Sequence, residues 1–383
     1  MKVAVTILVF CVAALLALGM VMLYSSSMAQ VGAHYLVRQL IGCGVGVALC
    51  LLAATLDYRN LKRFAWPLFV LAVVLLALVF VPHIGIKRNG ATRWLGYGRT
   101  SLFQPSEFAK LALIVFLAWY CDRFQRQMPT FRRGLVIPGL AIGLMLGLIF
   151  KEPDVGNMLL LATVSGIILL VGGARLRYLL PPVIAGALAV SLFIYHNPMR
   201  SERIYSWLHL EETKQAKGLQ AYQAMVALGS GGLTGKGLGD GRQKLGFVPE
   251  HHTDFIFSII GEELGLIATL LVIAAFAAIV FCGVYIAMNS CDTFGLLLGV
   301  GITFLIGLQA FINIGVVTGA LPNKGLPLPF MSYGGSNLLM TLISVGLLLS
   351  VARQAREPEA IARHLSAGGD VANPFARGAQ SQA

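Results

Sequence analysis

The chain has 383 residues, of which 57% are hydrophobic and only 12% are charged, and it contains 43 glycines in addition. Soluble domains carry about 25% charged residues, so this composition excludes an ordinary soluble fold and argues against intrinsic disorder and a coiled coil. The net charge of +12 comes from short clusters between apolar runs. Such clusters favour membrane orientation or an anionic lipid ligand, and not nucleic acid, as the reason for the basic charge.

Long uncharged apolar runs recur along most of the chain. A run of about 18 residues or more is long enough for a helix to cross the hydrocarbon core of a membrane. We therefore predict an all-α polytopic membrane protein with about ten transmembrane helices. The run at 255–287 exceeds one simple crossing, so its first turns are expected to belong to a loop or a tilted helix end. The predicted spans are 3–24, 36–56, 64–82, 105–121, 134–150, 156–172, 178–196, 255–287, 294–318 and 336–352.

Positive charges in the connectors predict the orientation of these spans. Short connectors rich in Lys and Arg mark the cytoplasmic side of a membrane protein. This rule places both termini in the cytoplasm and two long segments, 83–104 and 197–254, outside. The segment 197–254, between helices 7 and 8, keeps scattered apolar residues, so we expect short amphipathic helices in it. Residues 1–355 then form the membrane domain, and the polar tail 356–383 is expected to be disordered.

The outward segments hold many of the cations. Arg93 lies in the first and Lys244 in the second, while Lys324 lies in a Pro- and Gly-rich last outer loop at 319–335. That loop has the composition of a re-entrant segment buried by protein. The cations are either the solvated surface of the loops, or they attract a diphosphate or another anionic ligand at the outer membrane surface.

Glu107 and Lys110 lie at the start of a predicted span, directly after Pro105. Residues three apart share one face of a helix, so this carboxylate and ammonium can pair. Ionisable groups inside a membrane are costly and are therefore functional candidates. Two interpretations remain open: a structural ion pair near the helix end, or the lining of a polar cavity.

Asp154 follows a proline in the turn 151–157 and precedes an apolar run. An aspartate in this position is typical of a helix N-cap, which accepts hydrogen bonds from the first turn. We predict that Asp154 caps the next span.

A cluster of ionisable side chains meets the apolar boundary just before residue 255. It includes Glu250, His252 and Asp254. A partly desolvated carboxylate at a membrane surface is a candidate general base. The alternative is a helix N-cap formed by Thr253 or Asp254. A zinc site is disfavoured, because His251 and His252 are adjacent and the H-E-x-x-H spacing is absent.

These stretches form an ordered set of motifs. In chain order they are Gln104-Pro105-Ser106-Glu107 with Lys110, Pro153-Asp154-x-Gly156, Pro249-Glu250-x-His252-Thr253-Asp254-Phe255-Ile256-Phe257 with Gly261-Glu262-Glu263-x-Gly265, and Leu321-Pro322-Asn323-Lys324-Gly325 continuing to Ser336. Together they resemble the motifs of the SEDS family (shape, elongation, division, sporulation). The resemblance runs from about residue 20 to 355. The Lys324-Gly325 pair is more similar to division-type than to elongation-type members.

The resemblance implies an activity, a substrate and partners. It implies a peptidoglycan glycosyltransferase that polymerises lipid II, an undecaprenyl diphosphate-linked disaccharide pentapeptide, at the outer face of the bacterial cytoplasmic membrane, and in division at the septum. It implies that Asp254 is essential, that Glu107 and Lys110 line a polar cavity, and that a divalent cation such as Mg²⁺ or Mn²⁺ helps. The implied partners are a class B penicillin-binding protein transpeptidase and other divisome membrane proteins. Further candidates for substrate or cavity contacts are Arg93, Lys244, His252, Glu250 and Lys324.

The chemistry of such a reaction agrees with the residue types. An α-linked diphosphate donor and a β-1,4 product require inversion in one displacement. This step needs a base for the acceptor hydroxyl and charge stabilisation for the diphosphate. Asp254 is the predicted base, and the outward Lys and Arg residues, with Mg²⁺ as a candidate helper, are predicted to stabilise the leaving group.

The chain departs from the family pattern at several positions. Where the family usually has Gln and Thr around Pro-Asp, this chain has Glu152 and Asn157, and in the large loop Leu219 and Gly241 replace a usual Tyr and Ser. The extra carboxylate of Glu152 is expected to shift the charge balance of that turn. Other functions also remain open: an elongation-type polymerase of the same family, a lipid II flippase, and a scaffold that recruits the transpeptidase.

Overall fold

The structure is a computed structural model that describes residues 1–27, 34–88, 91–97, 100–213, 218–241 and 253–355. The tail at 356–383, for which disorder is predicted, lies outside the described residues. The described part is a helical bundle with one small sheet. Its helices are α1 (Lys2–Ser27), α2 (His34–Thr55), α3 (Leu61–Leu78), α4 (Pro105–Arg123), α5 (Ile137–Lys151), α6 (Val155–Val171), α7 (Leu176–His196), α8 (Pro198–Leu208), α9 (Leu210–Thr213), α10 (Leu219–Ser230), α11 (Ile256–Met288), α12 (Thr293–Val317) and α13 (Gly335–Gln354).

Most of these helices are built to cross a membrane. Among the described residues, eight are long and apolar enough to do so, namely α1, α2, α3, α5, α7, α11, α12 and α13. The prediction of an all-α polytopic membrane protein is confirmed. A count of ten requires α4 and α6 to cross as well. Since α6 has 17 residues and the 19 residues of α4 include Glu107 and Lys110, the predicted count stays a prediction.

Helices α12 and α13 form the interior of the bundle. Most side chains of both are buried, and α12 packs against α4, α6 and α11. Small residues allow the close approach, because a β-carbon built at Gly299 would lie only 2.9 Å from the β-carbon of Ala287 in α11. Helix α7 differs, since Leu179 is the one residue that it buries in the described structure. An apolar helix with this exposure is suited to contact lipid on nearly all sides.

The outer segment 83–104 folds into an antiparallel sheet of three strands in the order β1 (Gly85–Arg88), β2 (Ala91–Tyr97) and β3 (Thr100–Phe103). The sequence predicts only a loop here, because β1 and β3 have four residues each and are too short for an alternating pattern to stand out. The sheet leads directly into α4, whose first residue is Pro105. It thereby positions Arg93, in β2, near α4, at the end of the bundle that is predicted to face outward.

The long outer segment 197–254 contains the helices α8, α9 and α10, so the predicted short helices are confirmed. Helix α10 packs against α11. After α10 the chain forms a glycine-rich strap, residues 231–241, which lies against the first part of α11.

Helix α11 is broken at Gly265, whose φ of 79° and ψ of −172° are not helical. The first turns of the 255–287 run, expected to belong to a loop or a tilted helix end, are helical from Ile256 and are separated from the rest of α11 by this break. The loop alternative is therefore wrong, and the tilt stays a prediction. A break in a helix frees backbone groups that need other partners. The strap supplies them through hydrogen bonds of 2.9–3.0 Å from Lys236 N to Glu262 O, from Gly237 N to Glu263 O and from Leu266 N to Gly232 O.

The last outer loop, between α12 and α13, is held inside the protein. Its residues Leu326, Leu328 and Phe330 are buried, and Gln39 of α2 donates a hydrogen bond to the carbonyl of Ser332 at 3.1 Å. The predicted burial of this loop by protein is confirmed, whereas its entry into the membrane stays a prediction.

Candidate functional site

Glu107 and Lys110 form a buried ion pair in the first turns of α4, as their spacing predicts. The Lys110 Nζ lies 2.9 Å from a carboxylate oxygen of Glu107, and the two side chains are only 2% and 3% exposed. Lys110 also donates to Asn157 Oδ1 at 3.4 Å and to Gln309 Oε1 at 3.2 Å. A buried charge pair is tolerated only when further hydrogen bonds satisfy it, and the two amide oxygens supply them.

Asp154 caps α6, which confirms the prediction. Its Oδ1 accepts a hydrogen bond from the backbone N–H of Asn157 at 3.1 Å, and its Oδ2 accepts one from Asn157 Nδ2 at 3.0 Å. Because the same Asn157 side chain accepts from Lys110, it joins the cap of α6 to the buried ion pair of α4. The turn and the intramembrane pair are therefore parts of one polar network.

Arg93 fastens this turn to the small sheet. Its Nε donates to the carbonyl of Glu152 at 3.0 Å and its Nη2 donates to the carbonyl of Pro153 at 2.8 Å. Its Nη1 lies 3.6 Å from the carboxylate of Asp154. The guanidinium thus satisfies carbonyls at the end of α5 and faces the capping carboxylate of α6.

Glu152, which stands where the family usually has Gln, is fully buried. Neither of its carboxylate oxygens has a hydrogen-bond partner among the described residues. Burial and the negative charge of Asp154 raise the pKa of Glu152 to about 8, while the positive charge of Arg93 acts in the opposite direction. This carboxyl therefore favours its neutral form near pH 7.

Amide side chains of α12 connect the network to the last outer loop. Gln309 Nε2 donates to the carbonyl of Pro327 at 2.9 Å and to Asn337 Oδ1 at 3.0 Å. Asn313 Nδ2 donates to the carbonyl of Leu326 at 2.7 Å and to the carbonyl of Asp254 at 2.8 Å. The loop and the backbone of Asp254 are thus held by the same side chain.

Asp254 is half-buried and lies directly before α11. A β-carbon built at Gly325 would lie 2.8 Å from its Oδ2, so the last outer loop contacts the carboxylate closely. The alternative that Thr253 or Asp254 caps α11 is wrong, because in the described structure Phe255 occupies the N-cap position without a side-chain cap bond. Because the N-cap is Phe255, Asp254 lies one residue and Thr253 two residues before the capping position.

The remaining predicted residues fall into two groups. Lys324 is half-buried beside Gly325, and burial lowers the pKa of its ammonium. Lys244, Glu250 and His252 lie outside the described residues. In the part of the chain that the structure describes, no group of three or more His, Cys, Asp or Glu side chains comes together, so we assign no ligands to the divalent cation that the family resemblance implies.

A small cavity, with room for about one water molecule, lies beside the ion pair of α4. Glu107, Lys110 and Gln309 line it together with Pro329 of the last outer loop and Thr341 of α13. Sequence reasoning identified the charged residues but missed Gln309, which contributes an amide to the same wall. A polar side chain inside an otherwise apolar run was the signal that could have found it.

Comparison with known sequences identifies relatives over nearly the whole chain. The sequence profile of the family described as "Cell cycle protein", which covers FtsW, RodA and SpoVE, matches residues 6–357. The chain is 40% identical over 349 residues to the probable peptidoglycan glycosyltransferase FtsW of Geobacter metallireducens, with 90% of this chain and 93% of the relative covered. It is also 40% identical over 354 residues to stage V sporulation protein E of Bacillus subtilis, covering 89% and 95% of the two chains.

Solved structures show the same fold. One chain from a study of the structural coordination of polymerization and crosslinking by a peptidoglycan synthase complex superposes with a TM-score of 0.76 at 31% identity, covering 91% of this chain and 98% of the other. The rod shape determining protein RodA of Thermus thermophilus superposes with a TM-score of 0.69 at 31% identity, covering 91% and 97%. The chain therefore belongs to the FtsW, RodA and SpoVE family of cell cycle proteins, the SEDS family whose motifs it carries.

Proposed function

We propose that this protein is a peptidoglycan glycosyltransferase that polymerises lipid II into β-1,4 glycan strands at the outer face of the bacterial cytoplasmic membrane. The observation that carries the proposal is the position of Asp254. Its half-buried carboxylate contacts Gly325 of the last outer loop, and Asn313 and that loop link it to the buried network of Lys110 and Gln309. Relatives of 40% and 41% identity, named probable peptidoglycan glycosyltransferase FtsW, support this reading.

The proposed step is a single inverting displacement. The Asp254 carboxylate takes the proton of the acceptor hydroxyl, and the hydroxyl oxygen forms a bond to the anomeric carbon of the donor sugar. The bond from that carbon to the diphosphate oxygen breaks, and its electron pair leaves with the diphosphate. Because the new bond forms on the face opposite the leaving group, an α-linked donor gives a β-linked product.

Outward cations are proposed to stabilise the charge that develops on the diphosphate. Arg93, Lys244 and Lys324 are the candidates, and Glu250 and His252 are proposed to contact the substrate beside them. Preorganised cations lower the barrier because they need not reorient as the charge moves. A divalent cation such as Mg²⁺ or Mn²⁺ would add to this stabilisation when bound.

The buried network is proposed to keep the site in one geometry. Glu107 and Lys110 fix the first turns of α4, and Asn313 fixes the backbone of Asp254 together with that of Leu326. A catalytic group held by packed side chains and hydrogen bonds stays within the narrow range of positions that the reaction requires. Glu107 and Lys110 are also proposed to line a polar cavity of the site, and both contribute to the wall of the small cavity beside them.

A class B penicillin-binding protein transpeptidase is the proposed partner, since glycan strands have to be crosslinked. The superposition with a chain from a complex that coordinates polymerization and crosslinking supports this partner. The same proposal includes contacts with other divisome membrane proteins, both termini in the cytoplasm, a location at the division septum and no nucleic-acid partner. Imaging a tagged copy at the septum or along the side wall separates this duty from that of an elongation-type polymerase.

The test of the activity is Asp254→Ala, purified with the partner transpeptidase and supplied with fluorescent lipid II. We expect no glycan polymer, because the acceptor hydroxyl loses its base. Asp240→Ala is the matched control, since Asp240 is an exposed aspartate of the strap, and it is expected to polymerise at the wild-type rate. Co-purification with the partner and an unchanged melting temperature establish that the Asp254 variant is folded.

Polymer made by Asp254→Ala at the wild-type rate would refute the assignment of Asp254. The same proteins in liposomes test the flippase alternative. Transbilayer movement of lipid II without polymer formation would favour transport. Normal division by cells in which residues 249–254 are replaced, with the complex intact, would favour a scaffold.

A further inference from the structure

Arg200 lies in the first turn of α8, and its side chain is half-buried. Its Nη1 is buried and has no hydrogen-bond partner among the residues that the structure describes. The flat face of the guanidinium lies over the ring of Phe193 in α7, 4.4 Å from the ring centroid. Stacking of this kind orients the guanidinium and leaves its N–H edge available for a ligand.

The surroundings of Arg200 are positive. Burial, together with the positive charges of Arg203 and Arg93, lowers the pKa of the Arg200 guanidinium. Arg203 follows by three residues on α8 and so shares a helix face with Arg200. Arg93 reaches the same region from β2 and is already engaged by the turn before α6. The positive charges of two further guanidinium groups, one on α8 and one on the small sheet, therefore act on Arg200.

This arrangement costs stability in the absence of a ligand. Only Nη1 is shut off from solvent, because the Arg200 side chain as a whole is half-buried. A buried N–H without a hydrogen-bond partner costs stability, and like charges nearby add to the cost. Such a group becomes favourable when an anion completes it, and planar guanidinium groups match the oxygens of phosphate with paired hydrogen bonds. Phe193 lies three residues before the outer end of α7. Arg200 is therefore at the level of lipid headgroups in the predicted orientation.

We propose that Arg200, with Arg93 and Arg203 beside it, forms a subsite for the diphosphate of a polyprenyl lipid, and that the phosphate oxygens satisfy Nη1. The inference rests on the proposed glycosyltransferase function and assigns a specific role to Arg200, one of the outward cations of the segment 197–254. Diphosphate and the phosphate of an ordinary anionic phospholipid share this chemistry. The three guanidinium groups match the higher charge of the diphosphate.

The test measures lipid binding to the full chain with its partner in phosphatidylcholine nanodiscs. The probes are undecaprenyl diphosphate, phosphatidylglycerol and inorganic pyrophosphate, each titrated against wild type, Arg200→Gln and Lys87→Gln. Lys87 is an exposed outer cation on β1 and is the matched control for a lost positive charge. We expect Arg200→Gln to weaken binding of undecaprenyl diphosphate about 10- to 100-fold, and Lys87→Gln to leave it unchanged.

The other probes decide the source of the phosphate. Equal weakening of phosphatidylglycerol binding would overturn the proposal in favour of a general headgroup contact. Inorganic pyrophosphate binding as tightly as the lipid would overturn the assignment to a lipid. Undecaprenyl diphosphate binding to Arg200→Gln with wild-type affinity would overturn the subsite altogether.

Two further measurements separate this inference from others. Without lipid, Arg200→Gln is expected to melt no lower than wild type, because the substitution removes a buried N–H without a hydrogen-bond partner and a positive charge that Arg93 and Arg203 repel. A lower melting temperature together with unchanged lipid binding would mean that Arg200 is structural. Asp254→Ala is expected to bind undecaprenyl diphosphate normally while making no polymer. If wild type binds this lipid through Arg200 but never polymerises lipid II, the proposed function fails and the subsite stands.

Discussion

Gly325 lies against the carboxylate of Asp254, because a β-carbon at Gly325 would stand 2.8 Å from Oδ2. The backbone on both sides of this contact is fixed by one residue, since Asn313 donates to the carbonyls of Asp254 and Leu326. A side chain at position 325 therefore cannot be accommodated by a shift of the loop alone. An added methyl group would therefore displace the carboxylate of Asp254, which is the proposed base.

We predict that Gly325→Ala lowers the rate of lipid II polymerisation by about 100-fold, because small displacements of a catalytic group have effects of this size. The melting temperature is expected to change little, since the carboxylate can rotate toward solvent. Gly335→Ala is the control from the same region, where an added β-carbon has no atom within 4 Å. A Gly325→Ala protein that polymerises as fast as Gly335→Ala would show that the position of Asp254 does not limit the reaction.

The ion pair of α4 gives a prediction about stability. The side chain of Glu107 is only 3% exposed. Lys110→Met removes the positive charge that compensates its carboxylate. Removing one partner of a buried pair costs about 3–5 kcal/mol. Thermal unfolding in detergent is expected to show a correspondingly lower melting temperature for Lys110→Met.

The matched variant is the double substitution Glu107→Gln/Lys110→Met. It removes both charges, so we expect it to be more stable than Lys110→Met alone and to recover part of the loss. Glu107→Gln alone is the second single variant. If the loss of stability in the double variant equals the sum of the losses in Glu107→Gln and Lys110→Met, the two residues do not interact as the structure indicates.

Features set by neighbouring residues could be predicted from the sequence. The apolar runs predict the helices, and the three-residue spacings of Glu107 with Lys110 and of Asp154 with Asn157 predict contacts that one helical turn brings together. The capping role offered for Thr253 or Asp254 was wrong because it depended on where α11 begins, at Ile256. Helix ends are decided by the packing of the loop before them as much as by their own residues.

Contacts between distant segments could not be predicted. Arg93 binds carbonyls about 60 residues away along the chain. Asn313 joins the segment before α11 to the loop after α12. The periodicity of apolar residues in the sequence does not predict such pairs, since they form only when the helices pack. The unpaired Nη1 of Arg200 is a further case, because the lack of a partner is a property of the folded surroundings.

The break in α11 predicts a strong effect of Gly265→Ala. Gly265 has a φ of 79°, and a β-carbon there would lie 2.3 Å from the backbone N of Gly235 in the strap. A non-glycine residue in a strained backbone conformation costs about 1–3 kcal/mol, and displacement of the strap adds to this. We expect a lower melting temperature and faster proteolysis within the strap. Gly232→Ala is the comparison, because its φ of 59° is also positive but its β-carbon has open space; equal effects of both would mean that the strap contact is unimportant.

The buried carboxyl of Glu152 predicts how stability depends on pH. Burial and the charge of Asp154 raise its pKa from 4.5 to about 8, so between these values the folded protein keeps a proton that the unfolded chain releases. The protonated Glu152 carboxyl contributes its full stabilisation when the pH is below the pKa of the unfolded chain. As the pH rises, this contribution falls by about 1.4 kcal/mol per pH unit until the pH exceeds the pKa of the folded protein. Glu152→Gln has no proton to lose, so its stability relative to wild type is expected to rise steadily as the pH is raised from about 5 to about 8. Melting temperatures of both proteins across this range check the prediction, and curves that stay parallel would show that Glu152 is ionised in the folded protein, as it is in the unfolded chain.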